Sequence, residues 1–287
     1  MEGLFGEIEA HRDLRAELVA PPFSIIDCFQ RDYMRAKKVL RQEIDQLASR
    51  ADGRSKTLLR SELPSWEDAQ KKGYGFAGDA SSIFDPLLCK IAYTWWATCA
   101  KNGIIDPFAG DCERGYMAGK MGYSYYGLEL RPEQCEANRR ICANFPQVKY
   151  TEGDSNKSLD SIPDRSFGLG FTCPPYFDLE VYSDDPSDLS NMPWDDFVNA
   201  YGSILQKTAS KIVANGHFVI VIGDIRKDGE VIDLCEVTQQ ALRGHAKIWN
   251  KIVVAKPIGT APMRSYQFYE YGYAIRRHEY MLDFRVI

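Results

Sequence analysis

The sequence lacks the long apolar runs and the paired cysteine spacings that are typical of membrane and disulfide-rich proteins. No stretch of the 287 residues approaches the roughly 18 consecutive apolar residues that a membrane-spanning helix needs. The first twenty residues do not combine a basic start with a long apolar run, so we expect no secretory signal. The eight cysteines form no Cys-x-x-Cys pair, which argues against a zinc ribbon and a disulfide framework. We therefore expect a soluble, cytoplasmic protein with reduced thiols.

The sequence also lacks the strong positive charge that is typical of many nucleic-acid-binding proteins. Its net charge is −5, but the charge is unevenly distributed. Residues 1–30 contain six acidic residues against two basic ones, whereas residues 31–60 contain nine basic residues against four acidic ones. The basic run has a helical apolar spacing. It is either a solvated helix face or a surface that contacts phosphates, and the sequence leaves both interpretations open.

From residue 103 onward, short apolar runs alternate with segments of helical pattern. Near-continuous apolar strands separated by helices predict a mostly parallel sheet that is covered by helices on both faces. In such sheets, ligands bind beyond the carboxyl ends of the strands. Seven runs are candidate strands: 103–108, 123–130, 147–153, 166–173, 217–225, 246–256 and 279–287.

Three candidate ligand-binding positions follow the first three strands of this pattern. The first strand ends in DPFAGDCERG, residues 106–115, where Gly110 lets a ligand approach the backbone closely. The second ends at Glu129, 23 positions after Asp106, and an acid there suits a ribose diol. The third ends at Asp154, which places an acceptor where an adenine amino group could lie. Acceptors at three successive strand ends favour a nucleoside-containing ligand.

The fourth strand runs into FTCPPYFDLE, residues 171–180, where two prolines cannot donate backbone hydrogen bonds. The carbonyl groups of Cys173 and Pro174, fixed by Pro175, are candidate acceptors for the hydrogens of an exocyclic amino group. Tyr176 would stack on an extruded base. The alternative interpretation is a rigid strand exit with core aromatics. No histidine lies near Cys173 in the sequence to activate it as a nucleophile. The order of residues is Cys-Pro-Pro, whereas covalent cytosine C5 methylation uses a Pro-Cys dipeptide. We therefore do not expect C5 methylation.

At these residues the sequence resembles the amino-group DNA methyltransferases. DPFAGDCERG is similar to their S-adenosylmethionine loop, and TCPPY is similar to their catalytic (D/N/S)PPY motif. PPFSIIDCFQ, SIFDPLLC, TCPPYFDLEVYSDDPSDLSNM and VIGDIRKDGE extend the resemblance to DNA-modification methylases of phages and mobile elements. The resemblance covers residues 21–280.

The resemblance implies a Rossmann-like class I methyltransferase fold of the α/β class, with a seven-stranded, mostly parallel sheet whose final strand is antiparallel. It also implies S-adenosyl-L-methionine as the methyl donor and no metal. The implied catalytic cluster is Cys173, Pro174, Pro175 and Tyr176. The implied cofactor-binding residues are Phe84, Asp85, Asp106, Phe108, Gly110, Glu129 and Asp154. A bacterial or phage-infected cell is the implied setting, and protection of phage DNA from restriction is the implied purpose.

Two positions depart from the pattern of this family. Cys112 replaces the usual second glycine of the loop, so we expect different dihedrals there or a different approach to the methionine moiety. Cys173 replaces the Asp, Asn or Ser that precedes the prolines in this family. Because a thiol is a weak hydrogen-bond acceptor, we expect backbone carbonyls to accept more of the hydrogen bonds from the amino group. The target base therefore stays open between adenine N6 and cytosine N4.

Two further segments each have two interpretations. Asp184, Asp185 and Asp188 could bind a metal, but a loop that caps a helix over the active site is favoured. Residues 264–278 interleave aromatics with Arg264, Arg276, Arg277 and His278, which suits bases and phosphates and suits a sheet equally.

We expect two units: a helical N-terminal extension, residues 1–75, that contacts DNA, and a methyltransferase domain, residues 76–287. The predicted function is methyl transfer to the exocyclic amino nitrogen of a flipped DNA base. Because only about 60 residues separate the two motifs, no large recognition domain fits there, and we expect short or relaxed sequence specificity. The helices of residues 24–72 and the loops 177–195 and 257–277 would read the DNA. An RNA or protein-amide methyltransferase and an inactive DNA-binding module are the alternatives.

Overall fold

The computed structural model describes residues 24–50, 84–177, 183, 185–227, 229–257 and 266–287. The strands of these residues are β1 (Ile25–Asp27), β2 (Ile104–Asp106), β3 (Tyr125–Glu129), β4 (Val148–Glu152), β5 (Phe167–Thr172), β6 (Ile212–Ile222), β7 (Ile225–Lys227), β8 (Glu230–Ile232), β9 (Ala246–Ala255) and β10 (His278–Val286). The helices are α1 (Arg31–Arg50), α2 (Pro86–Trp95), α3 (Ala97–Ala100), α4 (Glu113–Lys120), α5 (Pro132–Ile141), α6 (Ser155–Ser158), α7 (Trp194–Lys211), α8 (Leu234–Ala241) and α9 (Tyr266–Tyr271). Two short 3-10 helices span Leu159–Ser161 and Leu189–Asn191. Within the described ranges, no helix is both long and apolar enough to cross a bilayer.

The main sheet has eight strands in the order β1-β9-β10-β6-β5-β2-β3-β4. Strand β10 runs antiparallel to both of its neighbours, β6 and β9, and the other pairs are parallel. This confirms the predicted α/β class, the mostly parallel sheet and its antiparallel final strand. All seven candidate runs form strands of this sheet. Strands β7 and β8 form a separate two-stranded hairpin.

The prediction of seven strands was wrong, because the N-terminal segment adds an eighth. Ile25, Ile26 and Asp27 of β1 pair in parallel with Val253, Val254 and Ala255 of β9. A strand of three residues next to a proline pair is too short to show an alternating pattern, so the sequence did not reveal it. The division into residues 1–75 and 76–287 stays a prediction, since residues 51–83 lie outside the described ranges.

Buried side chains cover both faces of the sheet. One cluster contains Tyr33 and Leu40 of α1, Tyr93 of α2 and Met117 of α4. The cluster on the other face is built around α7 and α8 and includes Phe197, Tyr201, Leu205 and Leu234. The predicted layers on both faces are therefore present.

Helix α1 docks on the first of these clusters through part of its predicted apolar stripe. Tyr33, Leu40 and Ile44 are buried, whereas Met34 is 44% exposed and Val39 is 56% exposed. The helix packs against α2.

Candidate active site

The parallel register brings the predicted site residues to one edge of the sheet. Strand β2 lies between β3 and β5, and β3 pairs with β4. Asp106 and Glu129 are the last residues of β2 and β3, Cys173 directly follows β5, and Asp154 follows β4 by two positions. Four positions that are far apart in sequence thus meet at the edge where open α/β sheets bind ligands.

Asp106 is a fully buried carboxylate that joins four elements. Its Oδ1 accepts hydrogen bonds from the backbone N–H of Phe108 at 3.1 Å and from Thr172 Oγ1 at 2.6 Å. Its Oδ2 accepts from Arg114 Nε at 2.5 Å and from Tyr125 Oη at 2.7 Å. Both oxygens are therefore engaged by the protein, so Asp106 shapes the predicted cofactor loop and connects it to the strand that leads to Cys173.

Arg114 is a buried cation that binds the backbone of the predicted cofactor loop. Its guanidinium, only 4% exposed, pairs with Asp106 and also donates to the carbonyl oxygens of Phe108 and Ala109, the latter at 2.9 Å. The same group lies over the Phe84 ring, with 4.8 Å from Cζ to the ring centroid. Burial is the largest single effect and lowers the pKa of the Arg114 guanidinium, but Asp106, Tyr125 and Cys173 together raise it well above its ordinary value. A buried cation that binds two consecutive carbonyl groups fixes the path of the loop.

The turn of the loop depends on Gly110 and not on a second glycine. Gly110 has a φ of +51°, a left-handed conformation that side chains disfavour. Cys112 has φ −70° and ψ −13°, in the right-handed helical region, and acts as the residue before α4. These dihedrals need no glycine, so a residue with a side chain is accommodated at position 112 without backbone strain. Cys112 is fully buried in the core.

A chain of buried polar side chains connects Glu129 to the Gly110 turn. Glu129 Oε1 accepts from the backbone N–H of Arg131 at 3.1 Å and from its Nε at 3.3 Å. Arg131 donates to Gln134, Gln134 donates to Asn138, and Asn138 Nδ2 donates to the Gly110 carbonyl at 2.7 Å. Burial raises the pKa of Glu129, although Arg131 and the Gly110 backbone N–H oppose the shift. Helix α5 thus positions the predicted ribose acceptor and the cofactor turn together.

Asp154 acts as the N-cap of α6. Its Oδ1 accepts from the backbone N–H of Asn156 at 2.8 Å, and its Oδ2 lies 3.5 Å from Lys157 Nζ. The adjacent hydroxyl of Ser155 donates to the Pro107 carbonyl at 2.5 Å. The loop after β4 is therefore fastened to the cofactor loop, at the place predicted for the adenine.

Phe84 and Asp85 lie beside the same loop. The Phe84 ring packs edge-on against Phe171, with 5.7 Å between the ring centroids. Asp85 caps α2 by accepting from the backbone N–H of Leu87 at 3.0 Å, with a proline at the first helical position. Its Oδ2 accepts from Tyr33 Oη at 3.0 Å and lies 2.8 Å from Lys37 Nζ. The Asp85 carboxylate is thus bound by α1 and by the start of α2.

The catalytic candidates leave the sheet directly after β5. Pro174 is buried, and Cys173 and Pro175 are partly exposed. Tyr176 is only 9% exposed and packs in the cluster of α7. Its buried hydroxyl forms no hydrogen bond of good geometry to the residues that the structure describes. Burial and the Glu279 carboxylate raise the pKa of Tyr176 well above its ordinary value, against a weaker effect of Arg276 and the nearby Gly223 backbone.

Part of the basic run on α1 is used inside the protein. Arg41 Nη1 lies 3.1 Å from Oε1 of Glu113, a fully buried carboxylate at the start of α4, and also donates to the Phe84 carbonyl. Together with the Lys37–Asp85 pair, this contact attaches α1 to the two predicted cofactor segments. These two cations therefore do not form a free phosphate-contacting surface.

We expect Arg41→Met to lower the free energy of unfolding by about 1–3 kcal/mol, because it removes the cation that compensates a buried carboxylate. It should also weaken cofactor binding, since Glu113 directly precedes Arg114. Thermal unfolding and calorimetry measure the two effects.

The matched control for Arg41→Met is Arg35→Met on the same helix. Arg35 pairs with Asp32 at 3.6 Å, and both side chains are largely exposed, so its loss should cost less than about 0.5 kcal/mol. Adding Glu113→Gln to Arg41→Met should restore part of the lost stability. Equal effects of the two arginine variants would contradict the role of Arg41.

The acidic loop before α7 fits the capping interpretation. Asp188 accepts from the backbone N–H of Ser190 at 3.0 Å, and Asp185 accepts from that of Ser187 at 2.7 Å. Asp184 lies outside the described residues. Elsewhere in the described ranges, two groups bring three possible metal ligands within 4.8 Å: Asp111, Cys112 and Glu113, and Asp224, Asp233 and Cys235.

Sequence reasoning missed several residues that organise the site. Arg114, Thr172, Asn138 and Arg41 each bond to a predicted site residue or to its loop, but their partners lie between 8 and 72 positions away. The four-residue spacing of Gln134 and Asn138 on one helix face was the available signal for the polar chain.

Comparison with solved structures identifies the fold. TrmN from Thermus thermophilus aligns with a TM-score of 0.50 and 9% identity over 72% of this chain and 50% of that one. Geranyl diphosphate methyltransferase, solved with GPP and sinefungin, aligns with a TM-score of 0.51 and 9% identity over 71% of this chain and 78% of that one. The fold is the Rossmann-like methyltransferase fold. The predicted methyl donor, S-adenosyl-L-methionine, agrees with it.

A partial match is a candidate DNA modification methylase, also from Thermus thermophilus, solved in complex with S-adenosyl-L-methionine. It has a TM-score of 0.34 and 25% identity over 46% of this chain and 51% of that one. This chain spans about half the length of that methylase and of TrmN. No protein-family model and no curated protein sequence matches the chain.

Proposed function

We propose that the protein transfers a methyl group from S-adenosyl-L-methionine to the exocyclic amino nitrogen of a DNA base, adenine N6 or cytosine N4, with short or relaxed sequence specificity. One observation carries this proposal. The Cys-Pro-Pro-Tyr segment leaves β5 next to the glycine turn of β2, and the Thr172–Asp106 hydrogen bond of 2.6 Å joins the two. An acceptor segment and a methyl-donor site on adjacent strands are the arrangement that amino-group methylation needs.

The residues at the strand ends fit the proposed cofactor. The Gly110 turn has no side chain to block a close approach, and Glu129 presents a buried carboxylate at the carboxyl end of β3. Asp111 Oδ2 is buried without a hydrogen-bond partner among the described residues, so it suits a cationic group such as the ammonium of the methionine end. Gly110, Asp111 and Glu129 would hold the cofactor, with Phe84 and Asp154 at the edges of the site. When bound, S-adenosyl-L-methionine supplies an electrophilic methyl group and leaves as S-adenosylhomocysteine.

The proline pair would prepare the amino group for attack. The lone pair of an exocyclic amino nitrogen is delocalised into the base, so it is a poor nucleophile. Carbonyl oxygens of Cys173 and Pro174 that hold both amino hydrogens would let the nitrogen pyramidalise. The same carbonyl dipoles would stabilise the positive charge that the nitrogen gains on accepting the methyl group, and one N–H proton would then leave to solvent. Neither proline has an N–H that would compete for the carbonyls.

The test is methyl transfer to unmethylated DNA, followed by nucleoside mass spectrometry. We expect N6-methyladenine or N4-methylcytosine. Glu129→Gln should raise the KM for S-adenosyl-L-methionine about tenfold or more, because it weakens charge-assisted hydrogen bonds to the ribose. Glu152→Gln is the matched control, since Glu152 is the exposed partner of Glu129 in the β3–β4 register, and it should change KM less than twofold.

Competing substrates decide between the proposed and the alternative acceptors. Equal amounts of DNA, RNA and protein are offered with labelled S-adenosyl-L-methionine. Label in RNA or protein alone, or 5-methylcytosine as the product, would refute the proposed function.

A further inference from the structure

A cluster of exposed aromatic rings lies on α9 and on the residues that follow it. On the six-residue helix α9, Phe268 is 54% exposed, Tyr269 is 86% exposed and Tyr271 is 55% exposed. Tyr271 stacks on Tyr273 with 5.5 Å between the ring centroids. We call Phe268, Tyr269, Tyr271 and Tyr273 the aromatic face. The sheet interpretation of this segment was wrong, because residues 266–271 are helical and β10 begins only at His278.

Cation contacts connect the aromatic face to the catalytic segment. The Arg226 guanidinium lies over the Tyr273 ring, 4.2 Å from its centroid. The next residue of the same hairpin, Lys227, lies 4.6 Å from the ring centroid of Phe177, which follows Tyr176. The β7–β8 hairpin therefore spans the distance between the proposed catalytic tyrosine and the aromatic face.

Two exposed arginines, Arg226 and Arg276, lie at the same edge. The Arg276 guanidinium lies next to Gly223, which directly follows β6. Single exposed aromatics are normal on protein surfaces. Three on one short helix, with arginines adjacent, match the combination of stacking rings and phosphate-neutralising cations that binds unpaired nucleic acid.

The chemistry of the rings favours unpaired bases over a duplex. A paired base presents only its edge in a groove, which hydrogen-bonding side chains read, whereas an unpaired base presents its π-face. Resting on the proposed function, we propose that the aromatic face binds single-stranded DNA next to the target base by stacking on its bases. The protein then prefers unpaired or locally opened DNA over duplex.

Binding measurements test this inference without any methyl transfer. Fluorescence anisotropy compares a labelled DNA strand, its duplex and an RNA strand of the same sequence, using the full chain. We expect the DNA strand to bind more tightly than the duplex. Tyr269→Ala should weaken strand binding about tenfold and duplex binding less than twofold. Because Tyr269 is 86% exposed, this variant should fold normally.

Trp249→Ala provides the matched control. Trp249 is 56% exposed and also lies under an arginine, Arg285, at 4.9 Å, but it is near the amino end of β9, at the opposite edge of the sheet. This control should leave strand binding unchanged. Equal losses in the two variants, tighter duplex binding, a tenfold preference for the RNA strand, or self-association that depends on Tyr269 would each overturn the inference.

The two proposals fail in distinguishable ways. Strand binding that depends on Tyr269, with no methylated nucleoside from any substrate, would refute the proposed function and support the aromatic face. Methylated DNA with no effect of Tyr269→Ala on strand binding would support the function and overturn the inference.

Discussion

Tyr176→Ala is expected to lower the rate of methyl transfer to DNA by about 100-fold or more while cofactor binding is retained. In the proposed mechanism, the ring stacks on the extruded base and holds its amino group against the carbonyls of Cys173 and Pro174. Loss of the ring removes the stacking energy and the alignment together. Steady-state kinetics with saturating DNA, and calorimetry with S-adenosyl-L-methionine, measure the two properties separately.

Tyr176→Phe separates the ring from its hydroxyl. The hydroxyl is buried and forms no hydrogen bond of good geometry to the residues that the structure describes, so its removal should keep the rate within about twofold and leave the protein equally or more stable. If the phenylalanine variant lost as much activity as the alanine variant, the hydroxyl and not stacking would be the source of the effect.

A stability control is needed because Tyr176 is 9% exposed, and truncation of a buried aromatic ring costs about 3–5 kcal/mol. Phe177→Ala serves this purpose. Phe177 is similarly buried and packs against Trp194 and Phe197, with ring centroids 4.9 and 5.3 Å away. We expect a similar loss of stability and a much smaller loss of rate. Equal losses of rate would show that Tyr176 acts through packing alone.

Asp106→Ala is expected to lower the free energy of unfolding by about 3–5 kcal/mol, because it leaves the buried Arg114 cation without its carboxylate partner. It also removes the acceptor that connects β2, β3, β5 and α4. The cofactor loop should lose its shape, so S-adenosyl-L-methionine binding should fall below detection in calorimetry. Chemical denaturation measures the stability.

Two further variants test the role of Asp106 in proteins that are expected to fold. Asp106→Asn keeps the size of the side chain and should fold, but with weakened cofactor binding. Thr172→Val removes one of the four hydrogen bonds and should cost about 1 kcal/mol. An Asp106→Ala protein with unchanged stability and unchanged cofactor affinity would contradict the role of Asp106 as the organiser of the loop.

The sequence was sufficient to predict the strand ends. Apolar runs set the strands, and because parallel strands share one carboxyl edge, Asp106, Glu129 and Cys173 had to meet there. These inferences succeeded because their physical causes act over a few residues.

The roles of the same carboxylates could not be predicted. The sequence predicted Asp106 as a cofactor-binding residue. In the structure, its oxygens accept hydrogen bonds from Arg114, Tyr125, Thr172 and a backbone N–H. Asp154 and Asp85 are likewise occupied by cap bonds and lysines. Which polar group satisfies which depends on distances between elements, and sequence spacing carries no such information.

The sequence by itself determined the α/β class, the parallel edge and the residues at it, because hydrophobic periodicity and turn chemistry are local. Only the tertiary structure decided that a short N-terminal strand completes the sheet, that Arg41 of a basic helix neutralises the buried Glu113, and that the β7–β8 hairpin contacts both Tyr273 and Phe177. Each of these depends on groups brought together from distant parts of the chain, where burial makes an unpaired charge costly and thereby selects its partner.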